Sequence, residues 1–219
     1  MILRFNAVTH QRLKDIDVKD MQRPSDISAC ERTSRVYIAD WKECVWRVSS
    51  DGGNIMRWLS SDTFSPCTVS VTSSRLLVTS WDTNQLIQYD GDGDELRRVD
   101  LPDDMTPHHA VESPTGTFIV SHSNAQLKQW QVSEVNTGGQ VLRQFSGSRV
   151  SLITADSRGN IFVADRKNRR ILVLNAELAL RRVIIDGCQL PESLCYSEQS
   201  GQLLVGFKGS IAVFDVLRR

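Results

Sequence analysis

An all-β chain arranged as a β-propeller of four-stranded antiparallel blades is the architecture the sequence predicts, and three observations predict it. An apolar strand with a polar or small end recurs five times. It reads Val36-Tyr37-Ile38-Ala39-Asp40, Leu76-Leu77-Val78-Thr79-Ser80, Phe118-Ile119-Val120-Ser121, Ile161-Phe162-Val163-Ala164-Asp165 and Leu203-Leu204-Val205-Gly206, with ends at 40, 80, 121, 165 and 206. Pro24, Pro66, Pro107 and Pro191 keep the same period, and Arg149-Val150 fills the missing place. No segment carries a convincing helical apolar period; Ala176–Arg182 comes nearest, but it stands where the other units have a hairpin. A period near 40 with four short strands per unit is the sequence mark of a propeller.

The clearest unit shows how each element is read. Asp156-Ser157-Arg158-Gly159-Asn160 is a turn, built from residues that reach positive φ cheaply or bond their own backbone. Ile161–Ala164 is a short apolar run, as expected of a strand covered on both faces. Asp165–Arg169 is a second polar turn and Ile171–Leu174 a second apolar strand, so the two strands form an antiparallel hairpin. One hairpin cannot bury both its faces in water, so it must belong to a larger sheet.

Each unit is expected to contain four strands, a to d. Strand a is short and mixed: Asp26–Cys30, Cys67–Val71, His108–Glu112, Leu152–Ala155 and Ser193–Tyr196. Strand b is the recurring run above. Strand c carries a large apolar or aromatic residue near its end, at Phe5, Val48, Tyr89, Trp130, Leu174 and Phe214. Strand d comes last: Leu13–Val18, Ile55–Leu59, Glu95–Leu101, Gln140–Phe145 and Leu180–Ile185. The units run over about 24–63, 65–104, 106–148, 149–189 and 190–219, the last closed by 2–20. In that reading Leu13–Val18 pairs with Ile211–Val216 and completes a fifth blade, because an unpaired sheet edge invites aggregation. The other reading is an incomplete six-bladed ring, in which Ile2–Val18 forms its own hairpin against the first unit.

Composition restricts function. Lys plus Arg and Asp plus Glu are 26 each, which argues against a dedicated nucleic-acid or membrane protein, though a local patch is compatible with it. Five cysteines, with no CxxC and no paired histidine spacing, read as reduced and mostly buried thiols of a cytoplasmic protein. The first residues are too short and polar for a signal peptide, and no apolar run approaches a membrane span.

The stretch Asp156–Leu174 carries D-x-x-G-N-I-F-V-A-D-x-x-N-x-R-I-L-V-L and resembles the NHL repeat, found in propellers at the C-terminus of many tripartite-motif ubiquitin ligases. Val36–Val48 is a fair match, whereas the units at Pro66 and Pro107 have Ser80 and Ser121 in place of the aspartate and the last unit has Gly206. The resemblance covers nearly the whole chain as architecture and about two units as motif. It implies a propeller, usually of six blades, that binds other proteins, often as a substrate receptor, or single-stranded RNA on one face. Ligase activity in that family needs a RING domain, and no RING-type Cys/His array exists in these 219 residues.

Strand direction alternates within a blade, so the b–c turns and the d–a connections lie on one face. That face is expected to collect Trp41, Lys42, Trp81, His122, Arg166, Lys167 and Lys208 from the b–c turns, with His108 and Arg149 from the d–a connections. Cations that pair with phosphates beside rings that stack on bases would suit single-stranded RNA. The same groups would suit a protein partner. Asp40 and Asp165 look like paired carboxylates, but an aspartate at a strand end can bond the backbone of its own turn. Only four histidines exist and the a strands offer Ser28, Ser70, Val111 and Thr154, a poor metal-ligand set for a lactonase-type propeller. No nucleophile–base arrangement and no phosphate loop can be picked out. The expectation is a non-enzymatic, protein-binding module without cofactor, metal or small-molecule substrate. Single-stranded RNA binding is the alternative, and a metal-dependent hydrolase the third reading.

Overall fold

The structure is a computed structural model and describes residues 1–4, 9, 11–41, 43–60, 64–73, 75–80 and 82–216. Among these, nineteen strands form five antiparallel sheets, each in chain order. The first blade contains β1 (Pro24–Cys30), β2 (Arg35–Asp40), β3 (Cys44–Ser49) and β4 (Ile55–Ser60). The second contains β5 (Pro66–Thr72), β6 (Arg75–Ser80), β7 (Gln85–Tyr89) and β8 (Glu95–Asp100). The third contains β9 (Met105–Glu112), β10 (Phe118–Asn124), β11 (Gln129–Val135) and β12 (Val141–Gly147). The fourth contains β13 (Val150–Ala155), β14 (Ile161–Asp165), β15 (Arg170–Leu174) and β16 (Leu180–Ile185). The fifth has three strands, β17 (Ser193–Ser197), β18 (Gln202–Phe207) and β19 (Ser210–Asp215). The fold is a β-propeller with five blades, whose first strands adjoin in sequence order around the centre.

The apolar runs become the second strands because successive side chains alternate and both sheet faces are covered. Tyr37, Ala39 and Val45 of the first blade meet Val69, Leu76, Val78, Ile87 and Tyr89 of the second. Leu77 and Leu86 then turn the other way, onto Ala110, Phe118 and Val120 of the third. Val111, Ile119 and Val132 pack on Ile153, Ile161, Val163 and Leu172 of the fourth. Phe162, Ala164 and Val173 meet Leu203 and Val205 of the fifth. Each of the second, third and fourth blades thus contributes one wall to each of two core layers.

The turn at 156–160 is fixed by the buried Asp156. Its Oδ1 accepts the Asn160 N–H at 2.7 Å and the Arg158 N–H at 3.0 Å, while Oδ2 accepts the Asn160 side-chain amide at 2.7 Å. Gly159 sits at φ +80°, where a side chain would be strained.

Three expectations are corrected. In the third unit, strand c is β11, so Trp130 lies near its beginning rather than its end. The second strand of that unit is also longer than expected, since β10 runs on to Asn124. His122, not Ser121, lies opposite Pro107, the place that Asp40, Ser80 and Asp165 hold opposite Pro24, Pro66 and Val150, and the register skips His108 on the first strand as it skips a residue there in those blades. Finally, Leu13–Val18 does not pair with β19. Among the described residues, Ile2 and Ile16 exchange backbone hydrogen bonds at 2.7 and 3.0 Å, and the Leu13 N–H donates to Arg4 O at 2.8 Å. Ile16 and Val18, each 4 % exposed, pack with Ile2 on Ile38, Trp46 and Val48 of the first blade. Ile16 and Val18 do need a covered face, but the first blade supplies it, and Leu13, expected on the same face, is 44 % exposed. Phe5, expected near the end of a strand c, lies outside the described residues.

Candidate functional site

The aspartates at the ends of the second strands organise the loop face. Asp165 is fully buried and accepts the Asn168 amide at 2.8 Å and Arg170 Nε at 2.9 Å, both through Oδ2. It therefore bonds its own turn, as expected. Asp40 does something different: it accepts the backbone N–H groups of Gln22 and Arg23, on the connection that enters β1, and Trp46 Nε1 at 3.1 Å. Both carboxylates are structural anchors. Asp40 ties a b–c turn to a d–a connection, and the backbone repeats the link: Trp41 N–H donates to Arg23 O at 2.9 Å, and Arg166 N–H to Arg149 O at 3.1 Å. The two sets of loops share one face, as strand alternation requires.

On this face the third and fourth blades enclose an open pocket of about 490 Å³, lined by Trp130, Ser148, Arg149, Arg166, Lys167, Arg169 and Leu190. Four of its seven lining residues are cations and none is a carboxylate. Asp165 is already occupied by Asn168 and Arg170, and Asn168 also donates to Ser148 Oγ at 3.0 Å, which holds the turn in place. Arg169 adopts the left-handed conformation at φ 55° at the end of this turn. Among the described residues no ion pair neutralises Arg149, Arg166, Lys167 or Arg169, and the buried Nε of Arg166 has no hydrogen-bond partner.

The aromatic wall is built inward from the blade. Trp130 is half-buried; the His108 ring stacks on it at 4.3 Å between centroids, and the Arg149 guanidinium lies over it at 5.5 Å. His108 Nε2 is 3.2 Å from Ser123 Oγ. Burial, followed by neighbouring His122 and Arg149, lowers the His108 pKa to about 4. The imidazole is therefore neutral at pH 7, and the positive charge of the pocket belongs to the arginines and lysine alone.

The structure brings together Arg149, Arg166 and Lys167, with His108 behind them. It does not bring the rest to the same place. His122 is 1 % exposed, with Nε2 2.8 Å from Ser133 Oγ, so it is a core residue. Trp41 and Lys208 sit on the loops of the first and fifth blades and do not line the pocket. Lys42 and Trp81 lie outside the described residues. Trp130 and Arg169 were not expected here. The signal for Trp130 was an aromatic beside a b–c turn, visible only once the strand register is known. Among the described residues, no group of three or more His, Cys, Asp or Glu is placed to hold a metal ion. No helix among them is long and apolar enough to cross a membrane.

No family model and no curated protein matches the chain. Its likeness is to solved structures. One, from a nidogen/laminin complex, is 17% identical with a TM-score of 0.77, covering 98% of this chain and 85% of that one. A catalytically inactive virginiamycin B lyase from Staphylococcus aureus with quinupristin is 15% identical with a TM-score of 0.65, covering 94% and 74%. A protein of unknown function from Bacteroides caccae is 17% identical with a TM-score of 0.58, covering 82% and 67%. At these identities the likeness carries the propeller fold.

Proposed function

We propose that the chain is a non-enzymatic interaction module that holds an acidic segment of a partner protein in the pocket between the third and fourth blades. The observation that carries this reading is the set of Arg149, Arg166, Lys167 and Arg169 around a rigid aromatic wall, with no carboxylate among the lining residues. Cations without a carboxylate partner, gathered on one concave surface, favour an anionic ligand, and charge-assisted bonds to carboxylates are the strong ones available to arginine. The stack favours a protein over a nucleic acid. Trp130 already has His108 on its ring at 4.3 Å and Arg149 over it, so its π-surface is used inside the protein rather than offered to a base. The resemblance of 156–174 to the NHL repeat fits a substrate-receptor role, in which any ubiquitin transfer would belong to a domain outside these residues.

Fluorescence anisotropy with a labelled glutamate-rich peptide tests this. The wild-type chain should bind with an affinity that falls as salt rises. Arg149→Glu with Lys167→Glu should weaken binding at least about tenfold, the equivalent of 1.4 kcal/mol. Equal binding by the double variant sinks the assignment of this pocket. Tight binding of a mixed-sequence single-stranded RNA with no binding of the peptide would replace the protein partner with a nucleic acid.

A further inference from the structure

The fifth blade is the exception among the sheets. In the fourth blade, Ile171 lies opposite Ala164 and Val173 opposite Phe162, and these side chains are 0 % and 4 % exposed because the fifth blade covers them. Ile211 lies opposite Gly206 and Val213 opposite Leu204 in the equivalent places of the fifth blade, and they are 62 % and 38 % exposed. The same strand, β19, has no fourth strand on its outer side among the described residues, whereas β3, β7, β11 and β15 each have one.

The first blade shows the other wall of the same gap. Its face toward the gap corresponds to the faces that carry Val69, Ala110 and Ile153 in the next three blades, all 1–2 % exposed. Ile27 stands in that place in β1, paired with Ile38, and is 52 % exposed. The covering is partial. The N-terminal hairpin, residues 2–4 against 11–18, shields Ile38, Trp46 and Val48 on the outer part of the blade and leaves the innermost strand bare. In the repeat the order outward from the axis is first to fourth strand. A hairpin over the outer part therefore occupies the places of a third and fourth strand.

We infer that this wedge accepts three further β-strands, one completing the fifth blade against β19 and two lying inside the N-terminal hairpin, from a single segment of the same repeat of roughly 30 residues. Its order would be outer strand, innermost strand, second strand. The expected side chains follow from the strands already in place. Outer strands here read Leu96-Arg97-Arg98-Val99, Leu142-Arg143-Gln144-Phe145 and Leu180-Arg181-Arg182-Val183, and the second strand is a continuous apolar run. A second copy of the chain pairing edge to edge on β19 fits less well, because it would leave Ile27 and the inner side of the hairpin uncovered. Closure removes every one of these exposures at once.

The chain itself supplies the probe. Residues 176–207 contain β16, β17 and β18, the required order. The full chain should be extended at its C-terminus by a second copy of this segment, and hydrogen exchange followed at β19. The β19 amides that point away from β18 should slow by about a hundredfold or more, with a higher Tm. Ile211→Lys with Val213→Lys should leave the unextended chain as stable as before, since both side chains are exposed, and should abolish the gain in the extended one. A synthetic 176–207 peptide added in trans gives the same reading without a covalent change. If neither form slows exchange at β19, the inference is wrong. It is equally wrong if those amides are already protected in the unextended chain and light scattering gives a dimer.

Discussion

The titration of His122 ties the buried core of the third blade to stability. Its ring is 1 % exposed, and burial lowers its pKa from 6.5 to about 4. Folding thus favours the neutral imidazole. Above pH 6.5 both folded and unfolded chains carry it neutral and nothing is lost. Between pH 6.5 and 4 the unfolded chain binds a proton that the folded chain refuses, so stability falls as pH falls through this window. One pKa unit corresponds to about 1.36 kcal/mol, which gives a loss of about 2–3 kcal/mol from this residue at pH 4.5 relative to pH 7.5. Urea unfolding of the wild type and of His122→Gln at the two pH values isolates it. The substituted amide keeps a polar group toward Ser133 but cannot titrate, so the variant should lose about 2–3 kcal/mol less than the wild type on acidification. Equal losses in the two proteins, or an imidazole of His122 titrating near 6.5 in the folded chain by NMR, would refute the reasoning.

Three further outcomes follow from the geometry. Asp40→Ala removes the acceptor of two backbone N–H groups and of Trp46 Nε1, and should cost about 2–4 kcal/mol in urea unfolding. Gly139→Ala would place a Cβ 2.1 Å from Asp100 O at a φ of +82°; because that neighbour is backbone and cannot swing aside, a drop in Tm of several degrees is expected in calorimetry. Ile16→Ala should destabilise the chain by about 2–4 kcal/mol if the N-terminal hairpin is part of the folded core, and should change little if the hairpin merely rests on the surface.

Much of the fold was legible because the second strands are covered on both faces. A continuous apolar run such as Ile161–Ala164 has few alternatives when polar turns bound it on either side. The third unit was harder. Its second strand ends in Ser121, His122, Ser123 and Asn124, of which Ser121 and His122 are almost fully buried despite being polar. Ser121 Oγ donates to Ser151 O of the next blade at 2.7 Å, and that partner is distant in sequence. Hydropathy alone therefore ended the strand early and shifted the third strand with it. Arg149, Arg166 and Lys167 could be placed on one face from strand alternation alone. Trp130 and Arg169 could not, since one depends on that shifted register and the other on a left-handed turn residue.

Closure was illegible for a different physical reason. Ile16 and Val18, alternating with Asp15 and Asp17, state that one face of the segment is covered, but not by what. Both the edge of β19 and the outer face of the first blade are apolar: Ile211 and Val213 on one side, Ile38, Trp46 and Val48 on the other. Two features favour the second. The hairpin of 2–4 with 11–18 brings its own backbone partner, so its hydrogen bonds do not depend on β19. It also buries Ile16 and Val18 to 4 % against three large side chains, including the Trp46 ring that Asp40 holds in place. The cost is left on β19, whose backbone edge and two exposed apolar residues remain for a strand from elsewhere to cover.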